Sequence, residues 1–248
     1  MNDCVDTTRL EVSAALARML AESRCLRRSA NADPVLAGRR LNLREWQAAR
    51  LARTHADLLE SKEFGRGAEF FLSDLYGPQD FSDRDADVER ILPLMTSMLP
   101  LSGLKTVLLA VEVDALSERL DAAMVAALGA KLERGIGPAD YAAAYRRVGR
   151  REERERQLEL IGATGEALEA LSKKAFVRGA LKMMHGPAHL AGLGALHDFL
   201  ERGFEAFRSM RHADEFLETI LGRERRILGA LYAGLGDPFS VANPAPGP

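Results

Sequence analysis

The chain has 248 residues, room for one large domain or two small ones with a substantial core. It is 47% hydrophobic and 28% charged, with only 6% aromatics, a globular mixture that favours helix over sheet. Its 34 basic and 36 acidic residues leave a net charge of −2, which argues against nucleic acid as a partner, because binding a phosphate backbone calls for basic excess.

In chain order, Thr8 with Glu11 forms a capping-box pattern that predicts a helix to about Arg28. Asn31 to Leu41, with Pro34 and Gly38, reads as a loop. Asn42, with Glu45 three residues on, reads as the cap of a helix reaching Ser61. Gly65 and Gly67 mark a junction. Ala68, Phe71, Leu72, Leu75 and Tyr76 then fall on one face, the stripe of a buried helix. Gly77-Pro78 ends it, and Ser82 with Asp85 is placed to cap the next, which runs to Leu92-Pro93. Pro93 and Pro100 should kink or divide this region.

Ser102 to Leu128 predicts one long helix, apolar on two sides and therefore central. Gly135 to Pro138 is a turn. Helices from Pro138 to Val148 and from Arg150 to Ser172 follow, separated at Gly149. The arginines between Arg146 and Arg156 are interrupted by Glu152, Glu153 and Glu155, as on a solvated face with internal ion pairs. Lys173 to Met184 is helical, and His185-Gly186-Pro187 is expected to break the chain. Helices over Ala188 to Met210 and Ala213 to Ala233 complete the pattern. The fold class expected is all-α: a single-domain antiparallel helical bundle of roughly eight to ten helices. It spans residues 1–235, with 236–248 as a disordered Pro/Gly-rich tail.

Two isolated cysteines, Cys4 and Cys25, make neither a disulfide framework nor a metal motif, and suit a reducing cytoplasm. Asp3 and Asp6, with no long apolar run after them, do not resemble a secretory leader. The apolar stretch near Leu104 to Val113 is too short for a membrane span.

No Gly-Lys dipeptide supports a phosphate loop. The run from Gly192 to His197 lacks the third glycine of a dinucleotide fingerprint and has no strand before it. No glutamate stands three residues before a histidine, so the carboxylate di-iron signature is missing. His185 and His189 are four apart and would share the face of a continuous helix, where they can chelate a metal. The expected break at Gly186-Pro187 separates them, so no metal site is expected. Asp74, Asp80, Asp83 and Asp85 suit capping and pairing to Arg84, and lack the order of a calcium loop.

Helical projection picks out a different group. At ~100° per residue, Glu224 falls within the stripe of Phe216, Ile220, Ile227, Leu228 and Leu231. His189 falls within that of Leu193, Leu196, Phe199, Gly203 and Phe207, and Gln157 within that of Leu160, Ile161, Thr164 and Leu168. Arg50, with Gln47 and Thr54, lies inside the face of Leu43, Trp46, Leu51 and Leu58. A charge buried there needs a partner, because desolvation costs several kcal/mol per ion. Arg50 and Glu224 are the expected pair. Gln47, Arg50, Thr54, Gln157, His189 and Glu224 thus form a candidate interior polar cluster. It reads as a register-fixing ion-pair network, a small-ligand pocket, or an acid/base pair of Glu224 and His189. No catalytic residue is assigned.

The run Phe70-Phe71-Leu72-Ser73-Asp74-Leu75-Tyr76-Gly77-Pro78-Gln79-Asp80-Phe81, followed by Arg84-Asp85, resembles a family of uncharacterised bacterial proteins. Trp46-Gln47-Ala48-Ala49-Arg50-Leu51 is similar to it as well, as is the stretch from Gly186-Pro187-Ala188 through Phe199 to Phe204. The resemblance implies an all-helical chain of this length in a bacterial cytoplasm. It implies no activity, and no histidine at positions 185 and 197.

These readings favour a non-enzymatic binding, protein-interaction or regulatory module, with a second copy of the chain or another protein as partner. The alternative is a helical bundle holding a small ligand, metal or redox cofactor at the interior polar cluster. The cofactor is left unknown.

Overall fold

The computed structural model describes residues 2–75, 87–88, 90–93 and 101–242. Among these residues the regular elements are helical and no strand occurs, so the fold is all-α. In chain order they are α1 (Asn2–Asn31), α2 (Pro34–Thr54), α3 (Ala56–Glu60) and α4 (Gly65–Phe70). A π-turn at Phe71–Leu75 continues α4, and residues 87–88 and 90–93 are helical. Then come α5 (Leu101–Leu128), α6 (Lys131–Arg134), α7 (Pro138–Val148), α8 (Arg151–Ser172), α9 (Ala175–Leu190), α10 (Gly194–Ser209) and α11 (Ala213–Ala233).

The expected central helix is α5, which packs against α1, α2, α7 and α8. Val12, Leu16 and Leu20 of α1 meet Leu104 and Val111 on one side of it. Leu116 and Leu120 meet Leu160 of α8 on another. Its far end, Met124, Val125 and Leu128, joins Leu43, Tyr141, Tyr145, Ile227, Leu228 and Leu231 in the largest apolar cluster. A separate cluster gathers Leu58, Ala68, Phe71, Phe207, Met210, Phe216, Leu217 and Ile220. Ile220 and Ile227 belong to different clusters, so α11 bridges the two.

Several boundaries differ from the sequence reading. The loop expected over Asn31 to Leu41 is mostly helix. Pro34 starts α2 rather than stopping one, because its missing N–H costs nothing in a first turn, and the Asp33 carboxylate accepts hydrogen bonds from the Val35 and Leu36 amides. Helix α2 ends at Thr54, and His55 separates it from α3, where a single helix to Ser61 was expected.

The break expected at Gly186-Pro187 is absent, and α9 runs through both residues to Leu190. Pro187 sits in the last turn, where it removes one hydrogen bond and leaves little helix beyond it to kink. The chain turns instead at Gly192, which adopts φ +69°, a conformation glycine adopts without steric cost. Part of the segment expected as a tail packs on the bundle. Phe239 packs on Trp46 and Tyr141, Pro238 is buried, and the Ala242 carbonyl accepts from Arg226 at 2.8 Å. Tyr76 to Asp85, Pro100 and residues 243–248 lie outside the described residues, with the caps and kinks expected there.

Candidate functional site

Two places bring polar groups together. The first lies where Arg50 on α2 meets Glu224 on α11. Glu224 occupies the same apolar stripe as Phe216, Ile220, Ile227, Leu228 and Leu231, all of them buried. Its Oε1 accepts from Arg50 Nη1 at 2.5 Å and lies 3.1 Å from His55 Nε2. Burial pushes the Glu224 carboxyl up, but Arg50 and the hydrogen bond to His55 outweigh it and leave the group at about 2. Burial likewise pulls the Arg50 guanidinium down, and Glu224 more than restores it. The pair is thus ionised, while Arg50 Nε and His55 Nδ1 are buried without a hydrogen-bond partner.

The remaining candidates do not all join it. Gln47 donates to Asp121 on α5 at 3.0 Å. Thr54 is buried at the end of α2, and its carbonyl accepts from Arg223, which also clasps Asp57 through both carboxylate oxygens at 2.7 Å. Gln157 donates to Ser117 at 2.7 Å, across the α5–α8 contact. His189 is exposed, at the end of α9, because the chain turns after it rather than before. The acid/base pairing of Glu224 with His189 therefore has no geometric basis. His55 completes the site in its place. Projection along an unbroken helix turns His55 about 140° away from Arg50, whereas α2 ends at Thr54, just before it.

A second buried charge, Glu118 on α5, takes three arginines. Arg27 of α1 donates to it at 3.2 Å and to Asp114 at 2.6 Å, and Arg40 and Arg44 of α2 also bind its carboxylate. Its signal in the sequence is the seven-residue spacing Val111–Glu118–Val125, a charge centred between two buried valines.

The second place is the junction of α9 and α10. With α9 continuous, His185 and His189 share a face, and His197 and Glu201 are spaced alike on α10. The imidazoles of His185 and His189 lie 4.7 Å apart between centroids, and those of His185 and His197 5.3 Å apart. His185 Nδ1 is 3.5 Å from Glu201 Oε2, and His189 Nε2 is 2.9 Å from Asp198 Oδ1. The start of α10 is fixed from outside: Asp87 accepts from the Leu196 amide, and Arg90 binds both Asp87 and the Gly192 carbonyl. Farther along α10, the exposed Arg202 binds the largely enclosed Asp74 at 2.6 Å, which ties this acid of the aromatic-rich segment to α10.

The outer face of α9 is unlike either place. Phe176, Met183 and Leu190 recur every seven residues and are 72%, 75% and 92% exposed. Of the whole helix only Ala188 is buried. No helix among the described residues is long and apolar enough to cross a membrane.

A family model described as "Domain of unknown function (DUF8198)" matches residues 26–238. No curated protein and no solved structure matches the chain.

Proposed function

The chain belongs to the DUF8198 family, and we propose that it is a non-enzymatic binding module that assembles with a second copy of itself through α9. The exposed stripe of Phe176, Met183 and Leu190 carries this reading. Large apolar side chains repeated along one face of a surface helix mark an interaction site. Gly179 and Gly186 lie beside the stripe, and a Cβ added at either would meet nothing within 4 Å. Internal packing therefore does not demand glycine there, although each costs a helix about 1 kcal/mol against alanine. Close approach of an outside helix accounts for both.

The stripe also reads the same in both directions about Met183. Phe176 and Leu190 stand seven residues to either side, and Ala180 and Gly186 three. A two-fold antiparallel pairing sets Phe176 against Leu190 of the second copy and small residues against small, with Met183 on the axis. This is the self-complementarity an isologous interface requires.

Light scattering on the eluting protein tests the reading. The expected mass is twice that of the chain, and Met183→Lys should halve it without changing the helical circular dichroism. A wild-type monomer at high concentration sinks the proposal.

A further inference from the structure

Among the described residues, the α9–α10 junction gathers more potential metal ligands than any other place, and its burial pattern is uneven in an informative way. His185, His189, Asp198 and Glu201 are partly open to solvent, whereas His197 is only 5% exposed. The Nε2 atom of His197 is buried with no hydrogen-bond partner and lies 3.9 Å from Glu201 Oε2. A buried polar atom left unmatched is disfavoured, so this nitrogen calls for a partner. The ligand atoms of His185, His197 and Glu201 all lie within 4.8 Å of one another, and those of His185, His189 and Asp198 do likewise. Rotamer adjustments of about an ångström would bring the first three around one ion at ordinary metal–ligand distances of ~2.0–2.2 Å.

The scaffold is set for it. Each helix supplies two groups spaced four apart, which puts them on one face. The His189 ring is seated over Gly194, where any Cβ would approach its Nδ1 to 2.6 Å. Asp198 holds Nε2 of that ring, so His189 stands beside His185 as a wall of the site rather than as a ligand.

We propose that His185, His197 and Glu201 bind one divalent transition-metal ion of the zinc class, with the remaining coordination left to water. Imidazole-rich sites with a carboxylate suit Zn2+ and its late first-row neighbours over Mg2+ or Ca2+. The ion staples α9 to α10, and α9 needs such a staple because it buries only Ala188. The site lies on the opposite side of α9 from Met183, about 200° round the helix from it to His185. Metal binding and self-pairing are therefore separable.

The test is a Zn2+ titration of the tag-free, chelator-treated chain by calorimetry, with melting curves in parallel. One ion per chain is expected, with a raised melting midpoint. His185→Ala and Glu201→Gln alter exposed groups that folding does not require. Each should weaken binding by roughly tenfold or more, the scale on which a site's partners act, and reduce the melting shift. His197→Gln should do the same while circular dichroism reports a folded chain. Absence of heat and of any shift in the wild type overturns the proposal, and so does undiminished binding by both His185→Ala and Glu201→Gln.

Discussion

Arg50 and Glu224, 174 residues apart in sequence, meet at 2.5 Å and tie α2 to α11 at the seam between the two largest apolar clusters. The position explains the chemistry. A paired charge at that point favours one register of α11 against α2, the role best attested for buried ion pairs.

Removing one partner leaves the other charged and largely out of water. Glu224→Ala should therefore destabilise the fold by on the order of 3–5 kcal/mol, read from the denaturant midpoint. Glu224→Gln, which keeps the shape and an acceptor for Arg50, should fall between it and the wild type. An unchanged midpoint for Glu224→Ala would show that the seam does not depend on this pair.

The same pair sets an acid limit. The Glu224 carboxyl is held at about 2 against an ordinary value of 4.5. A depressed folded-state value adds stability that is complete above the unfolded value and lost as the pH falls toward the folded one. The contribution should thus be intact at neutral pH and fade between 4.5 and about 2. Stability measured from neutral pH into that window should fall less steeply in Glu224→Gln than in the wild type. Parallel slopes would assign the loss to other carboxylates.

Glu118 faces three guanidiniums where Glu224 is paired with Arg50. Burial pulls the Arg40 guanidinium down, Glu118 pulls it back, and the nearby Arg44 and Arg27 keep it below the ordinary value. Glu118→Gln would leave three guanidiniums converging on a neutral amide, with Asp114 still against Arg27. The expected loss is larger than for Glu224→Gln, in the range of about 3–5 kcal/mol for breaking a buried pair. A milder effect than that of Glu224→Gln would contradict the ranking.

What the sequence disclosed follows from which helices run unbroken. Arg50 and Glu224 were legible because each sits well inside a helix, where 100° per residue holds. His189 was not, because its facing depends on where one turn falls. Proline is the stronger breaker in mid-helix, yet the chain turns at Gly192, where a positive φ is needed. The same substitution of rules hid the first turns of α2, since Pro34 reads as a stop unless Asp33 is recognised as its cap. Glu118 was hidden for another reason. Helix α5 also carries Lys105, Glu112, Asp114, Arg119 and Asp121, so Glu118 is one charge among six, and only the spacing to Val111 and Val125 marks it as interior. The α9–α10 histidines became visible as a group once α9 was known to be continuous.

Gly203 tests the packing of α10 on α4. A Cβ there would come within 2.7 Å of the Phe70 ring, which is buried and lies 5.5 Å from that of Phe199. Alanine gains about 1 kcal/mol in helix propensity, but overpacking a tight core costs about 1–3 kcal/mol. Gly203→Ala should therefore be neutral to destabilising by up to about 2 kcal/mol, and Phe70→Leu should relieve the crowding in the double variant. A clear stabilisation by Gly203→Ala alone would show that the contact is loose.

Trp46 is the only tryptophan of the chain, and it reports on the segment after α11. Its ring stacks on Tyr141 at 4.3 Å between centroids and meets Phe239 edge-on at 5.7 Å. Phe239 also lies under the Arg50 guanidinium at 5.9 Å, so the segment covers the outer side of the Arg50–Glu224 seam. Phe239→Ala should uncover the indole, shifting its emission to longer wavelength and increasing its quenching by iodide, with helical circular dichroism unchanged. If the segment also shields the ion pair, the same variant should lose stability to added salt more steeply than the wild type, because exposed charges are screened and buried ones are not. An unshifted emission would mean that Phe239 does not rest on Trp46 in solution.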